Sequence, residues 1–136
     1  FPLCTLVTPN LAEAAAICGY PVTDRAQMER AAKDIAACSG HAALVKGGHL
    51  ADCADDLLFD HGTLHWLSAP RIDNPNTHGT GCTLSSAIAC GLAQGLPLTE
   101  SVTRAKRYLT ACIRCGLALG HGSGPLQHKV DWENEP

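Results

Sequence analysis

Two short apolar runs, Cys4-Thr5-Leu6-Val7 and Ala42-Ala43-Leu44-Val45, stand on either side of a long stretch with helical periodicity. That arrangement constrains the fold more than any other feature of the chain. Short runs without apolar/polar alternation fit strands covered on both faces. The stretch between them reads as two helices. Thr8-Pro9 opens the first, with Thr8 as N-cap and Pro9 at the first helical position. Leu11, Ala14, Ala15 and Cys18 form its apolar stripe, and Gly19 ends it. Thr23 caps the second, which runs to about Ser39 and turns Met28, Ala31, Ala32, Ile35 and Cys38 inward before Gly40. Strands joined through helices form a mostly parallel sheet covered by helices, the α/β class.

The rest of the chain adds a hairpin and two more helices. Leu57-Leu58-Phe59 leads into Asp60-His61-Gly62, a turn signal, and Thr63 to Leu67 returns. A polar segment, Asp73 to Thr77, follows. Gly79-Thr80-Gly81 introduces a third helix from about Cys82 to Gly95. Pro97 separates it from a fourth, Thr99 to about Gly120, with Val102, Ala105, Tyr108, Leu109, Cys112 and Ile113 on its apolar side. The tail is polar and rich in Gly and Pro. Two parallel strands and a hairpin do not complete a parallel sheet. The order therefore reads as the second half of a larger α/β domain.

Composition narrows the function classes. Hydrophobic residues are 46% and charged residues 17%, the balance of a globular chain. No apolar run approaches the roughly 18 residues of a membrane span. Phe1-Pro2 lacks the charged start of a secretory leader, and a chain that opens on Phe reads as processed or as a fragment. Net charge is −3, from 10 basic and 13 acidic residues, which argues against a nucleic-acid partner. Eight cysteines, at 4, 18, 38, 53, 82, 90, 112 and 115, sit mostly in or beside apolar segments. They read as reduced, largely buried thiols of a cytoplasmic protein. Cys112-Ile-Arg-Cys115 is the one CxxC; zinc would need two further ligands, with His121 or His128 to hand.

One segment carries chemistry: Asn76-Thr77-His78-Gly79-Thr80-Gly81-Cys82-Thr83, followed by the small-residue helix. Glycines let successive N–H groups converge, and a helix N-terminus adds positive potential. Together they suit a phosphoryl group. Cys82, at that helix start, sits where the field favours thiolate, able to take a proton from a hydroxyl or to act as nucleophile. A plain Gly-rich turn before a helix with a buried Cys fits the spacing as well. The P-loop pattern is absent, lacking Lys and Ser/Thr after the last Gly, and the dinucleotide pattern lacks its third Gly.

Asn-Thr-His-Gly-Thr-Gly-Cys-Thr-Leu-Ser-Ser-Ala resembles the signature of the hydroxymethylpyrimidine/phosphomethylpyrimidine kinases of thiamine biosynthesis, within the ribokinase-like superfamily. Thr8-Pro9-Asn10-Leu11-Ala12-Glu13-Ala14, Val45-Lys46-Gly47-Gly48-His49 and Gly122-Ser123-Gly124-Pro125 with His128 agree in order and spacing. Cysteine at 82, where most ribokinase-like kinases have Asp, is similar to the pyrimidine kinases and some pyridoxal kinases.

The resemblance implies a three-layer αβα fold, of which residues 1–136 supply the C-terminal half of the kinase domain. The N-terminal half, with its Gly-rich segment and most substrate contacts, is not in this sequence. It implies ATP-dependent phosphorylation of hydroxymethylpyrimidine and its monophosphate with Mg²⁺. Gly79, Thr80 and Gly81 would form the anion hole and Cys82 the base. Lys46 and Gly47 would meet ATP phosphates, with Asn74, Thr77 and His78 lining the nucleotide or phosphate site. Gly122 to Pro125 would close part of the nucleotide pocket. Asn10 and Glu13 match the family's Asn-x-x-Glu and would serve Mg²⁺ through water; as residues alone they equally suit a helix N-terminus. Pyridoxal kinase activity, or a nucleotide-binding fragment without catalysis, are the alternatives. Expected partners are a small-molecule substrate and a second copy or the complementary half. Asp52, Asp55, Asp56 and Asp60 read as a solvated rim, and Arg104, Lys106, Arg107 and Arg114 as a solvated helix face.

Overall fold

The computed structural model describes residues 2–48, 54–74, 78–117, 119, 121 and 124–133. They form two compact units, residues 1–71 and 72–136.

The first unit holds strand β1 (Leu6–Val7), helices α1 (Leu11–Cys18) and α2 (Arg25–Ser39), and strands β2 (Ala42–Val45), β3 (Asp56–Asp60) and β4 (Thr63–Leu67). The strands lie in the order β1-β2-β3-β4. β1 and β2 pair in parallel, Leu6 with Ala42 and Val7 with Ala43, as a crossover through helices requires. β3 and β4 are the expected hairpin, and β3 also joins β2 antiparallel, Leu44 opposite Leu58. Among the described residues the sheet is thus mixed rather than mostly parallel. A chain that returns through a tight turn must pair antiparallel, and here the hairpin extends the sheet. His61 (φ 44°) and Gly62 (φ 83°) form its two-residue turn, both left-handed as such a turn requires. β1 is shorter than the Cys4–Val7 run and half-buried, since it stands at the sheet edge.

Both helix starts differ from expectation. Asn10, not Thr8, is the N-cap of α1, and Asp24, not Thr23, caps α2, accepting from Gln27 N at 2.8 Å. In each case a longer side chain downstream reaches back. Glu13 takes the N–H of Asn10, and Gln27 Oε1 takes the N–H and hydroxyl of Thr23. Gly19 and Gly40 end the helices with φ 75°, as the sequence indicates.

α2 packs on β2 and β3, and α1 on α2. Met28, Ala31, Ala32 and Ile35 are fully buried against Val45, Ala43 and Leu57. Cys38 is exposed, and Ser39 takes its place on the inner face. At about 100° per residue Ser39 returns to within roughly 20° of Met28, whereas Cys38 lies about 80° away. The acidic rim also turns inward in part: Asp55 and Asp56 are each only 6% exposed. Asp55 pairs with Arg25 at 2.9 Å, and the Arg25 guanidinium stacks 3.8 Å above the Trp66 ring.

The second unit holds α3 (Thr80–Ala93) and α4 (Leu98–Cys115), which pack against each other. Gly91 allows the close approach: a Cβ there would lie 2.8 Å from Ser101 Oγ. α4 ends at Cys115, short of Gly120, with Gly116 at φ 58°. Its end is tied by Asn74, whose Nδ2 donates to Ile113 O at 2.6 Å. Lys106 is buried, not solvated, while Arg107 and Arg114 are exposed. The tail lies along α4: Tyr108 Oη donates to His128 O, and Trp132 meets Tyr108 edge-on and Arg104 by its face.

The cysteines depart from the expectation of burial. Of those described, Cys112 is buried, Cys4 and Cys18 are half-buried, and Cys38, Cys82, Cys90 and Cys115 are exposed. Small residues lie on the outer faces of these helices as well as the inner ones, so alanine-rich surroundings do not fix the direction a thiol takes. Among the described residues no helix is long and apolar enough to cross a membrane.

Candidate functional site

α3 opens on Gly79, in the left-handed region at φ 85°. Its first intrahelical bond runs from Thr83 N to Gly79 O at 2.9 Å. The N–H groups of Thr80, Gly81 and Cys82 therefore precede the helical ladder. Gly79 brings no side chain to cap them, whereas Asn10 and Asp24 cap α1 and α2. Such N–H groups, at the positive end of a 14-residue helix, suit an anion. Thr80 and Gly81 are thus part of the helix rather than of a loop before it. Cys82 lies in that first turn and is exposed, not buried. Ser85 Oγ donates back to Gly81 O at 3.0 Å and sits one turn on.

A groove of about 520 Å³ starts at Cys82 and follows α3. Ser86 and Cys90 continue its α3 wall, while Tyr108, His128 and Trp132 face them. The sequence reading missed it; the small residues at 82, 86 and 90, one helical turn apart, were its signal. Within its wall, burial pushes the Tyr108 phenol above its ordinary pKa, helped by its hydrogen bond with Cys112. Burial likewise raises the Cys112 thiol. In the first unit the Tyr20 phenol is raised by burial and by its bond to Asp34.

His78 forms a parallel bridge with Pro125, so the loop before α3 meets the tail motif. Asn74, expected at the nucleotide, spends an amide donor on the end of α4. Thr77, Gly122 and Ser123 lie outside the described residues.

The remaining site residues gather in the first unit, at the end of β2. Asn10 bridges to Lys46, and Lys46 N donates to Pro9 O at 2.8 Å. The entrance to α1 and the exit of β2 are thereby joined. Lys46 is half-exposed, and Gly47 behind it is buried. The Gly47 N–H donates to Asp56 Oδ1 at 2.9 Å. A Cβ on Gly47 would collide with Asp55 O, so only glycine fits. Asp56 was read from sequence as a solvated acid; nothing in its local pattern announced this bond.

Asn10 and Glu13 form a full capping box: Asn10 Oδ1 accepts from Glu13 N, and Glu13 Oε2 accepts from Asn10 N, both at 2.8 Å. The box uses one oxygen of each side chain. A hard cation that keeps its own waters could meet Glu13 through the second carboxylate oxygen, so Glu13 fits Mg²⁺ in outer-sphere mode. Among the described residues no three His, Cys, Asp or Glu side chains converge as a metal cluster.

Residues 1–127 match the family model described as phosphomethylpyrimidine kinase. A hydroxymethylpyrimidine/phosphomethylpyrimidine kinase of Rhizobium meliloti is 53% identical over 135 residues, which are 96% of this chain and 51% of the relative. One from Streptomyces coelicolor is 51% identical over 127 residues, 93% of this chain and 47% of the relative. Among solved structures, an ADP complex of Bacillus subtilis pyridoxal kinase superposes with a TM-score of 0.89 at 37% identity. That match covers 95% of this chain and 49% of the other. The ribokinase-like α/β fold expected from sequence is the fold observed. The chain spans about half the length of the relatives it matches. It belongs to the phosphomethylpyrimidine kinase family.

Proposed function

We propose that this chain supplies the phosphate-handling, C-terminal half of an ATP-dependent kinase of hydroxymethylpyrimidine and its monophosphate. The observation that carries the reading is the start of α3, where N–H groups without a side-chain cap meet an exposed thiol in one helical turn. Family membership and the names of the relatives support the substrate class.

The chemistry follows from charge and position. With the monophosphate, whose hydroxymethyl oxygen is already esterified, a phosphate oxygen is the attacking atom; with hydroxymethylpyrimidine, Cys82 as base takes the proton of the hydroxymethyl group. The attacking oxygen bonds to the γ-phosphorus of ATP as the bond to the β-phosphate oxygen breaks, leaving ADP. Negative charge on the transferring group falls on the N–H groups of Thr80, Gly81 and Cys82 and the positive end of α3. Lys46 would neutralise a phosphate oxygen, with Gly47 beside it. His78, held by its bridge to Pro125, would line the phosphate site at the start of α3. Asn10 and Glu13 would hold Mg²⁺ through water, which supplies further neutralisation of the phosphates. Asn74, one of whose amide donors ties the end of α4, would line the nucleotide or phosphate side of the site with the rest of its amide. The setting is cytoplasmic, where ATP is available.

A second reading, phosphorylation of pyridoxal, is favoured by the structural likeness to a pyridoxal kinase. Both substrates present a hydroxymethyl group on an aromatic ring. ADP release, measured for the polypeptide that carries this segment, tests the proposal with hydroxymethylpyrimidine, its monophosphate and pyridoxal in turn. We expect higher kcat/KM with the two pyrimidines. A preference for pyridoxal would favour the second reading. ATP binding without turnover of any of the three would make the chain a nucleotide-binding module.

A further inference from the structure

We infer that Asp56 is a positioning residue for nucleotide binding: its buried carboxylate fixes the Gly47 backbone and thereby holds Lys46 at the phosphates. This inference rests on the nucleotide reading given above.

Three contacts define the geometry. Gly47 N–H donates to Asp56 Oδ1 at 2.9 Å, and both residues are buried. Asp55 O lies so close to the Gly47 Cα that no side chain fits there. On the preceding residue, Lys46 N donates to Pro9 O at 2.8 Å. The backbone at 46–47 is therefore held from the α1 entrance on one side and from the start of β3 on the other.

The bond matters because of where the strand ends. β2 stops at Val45, and its antiparallel pairing with β3 ends at Val45 opposite Leu57. Gly47 lies past that ladder, where its N–H has no strand partner in the register. Asp56, immediately before Leu57 on β3, extends the pairing by one side-chain bond. A carboxylate accepting a buried N–H makes a charge-assisted bond, stronger than a neutral one. The lysine ammonium at 46 stands on a flexible stem, so its reach is set by its backbone. Loosening Gly47 lets that backbone wander and spreads the ammonium over more positions, which lowers its attraction for a phosphate.

The test uses the purified polypeptide that carries this segment, with ATP affinity measured by calorimetric titration and Gly47 amide exchange by NMR. Asp56→Ala should raise the Kd for ATP by about tenfold or more and speed Gly47 exchange. Asp56→Asn keeps an acceptor oxygen and should restore most of both. Lys46→Met should raise the Kd similarly, and Asp56→Ala should add little in the Lys46→Met background, because one acts through the other. Fast Gly47 exchange with unchanged Kd in Asp56→Ala would overturn the inference while leaving the nucleotide reading intact. Additive effects of the two substitutions would also overturn it. Wild-type protein that binds no ATP would overturn the nucleotide reading and this inference together. Should Asp56→Ala fail to fold, Asp56→Asn and Asp56→Ser carry the same comparison. Unchanged affinity in the serine variant despite faster Gly47 exchange then counts against the inference.

Discussion

Asn10 and Glu13 hold one another across the first turn of α1, each side chain accepting the other's backbone N–H at 2.8 Å. The same two residues are the candidates for Mg²⁺, and the two roles separate by substitution. Asn10→Ala removes the N-cap and should lower stability by about 1 kcal/mol, read from urea unfolding. Glu13→Gln keeps an acceptor for Asn10 N but loses the charge. Its stability should stay within about 0.5 kcal/mol of wild type. In the kinase assay it should need several-fold more Mg²⁺ for half-maximal rate. An unchanged Mg²⁺ requirement would leave the pair as a helix cap alone.

Gly91 and Ser101 set the distance between α3 and α4. A Cβ at Gly91 would meet Ser101 Oγ at 2.8 Å and Ser101 Cβ at 2.9 Å. Gly91→Ala gains helix propensity but overpacks the contact, and a net loss of about 1–3 kcal/mol is expected. Ser101→Gly in the same background should recover part of it, giving a non-zero coupling energy in a double-mutant cycle. Equal stability of Gly91→Ala and wild type would mean that the helices separate at no cost.

Much of this architecture was legible in the sequence, and the misses share a cause. Gly19, Gly40 and the His61-Gly62 turn were readable because a left-handed residue has few substitutes. The caps were misplaced because Thr8 and Thr23 satisfy a cap preference locally, while Glu13 and Gln27 decide the register from three or four residues downstream. At the site, the glycines and Cys82 of the α3 start carried their signal in adjacent residues. Asp56 did not: its partner Gly47 is nine residues away, and only the register of β2 on β3 brings them together. Cys38, Cys90 and Cys115 were misread because composition around a thiol does not give its direction on a helix.

Alkaline pH should destabilise the second unit through Tyr108 and Cys112. Burial raises both above their ordinary values, 10.0 for the phenol and 9.0 for the thiol. The unfolded chain then loses these protons first, so it binds fewer than the folded one, and stability falls as pH rises. The contribution is intact below about pH 9 and is lost as pH climbs from there through the raised values. Urea midpoints across this range should decline, and Tyr108→Phe should make the decline shallower. A steeper or unchanged slope in that variant would contradict the assignment to Tyr108.

The start of α3 carries the central claim, and Cys82 is its sharpest point. The measurement is kcat of Cys82→Ala in the kinase that carries this segment, with hydroxymethylpyrimidine and ATP. Loss of a general base predicts a fall of about 10²–10⁴ in kcat. ATP affinity should be nearly unchanged, because the N–H groups of Thr80 and Gly81 remain. Full activity in Cys82→Ala would contradict the account.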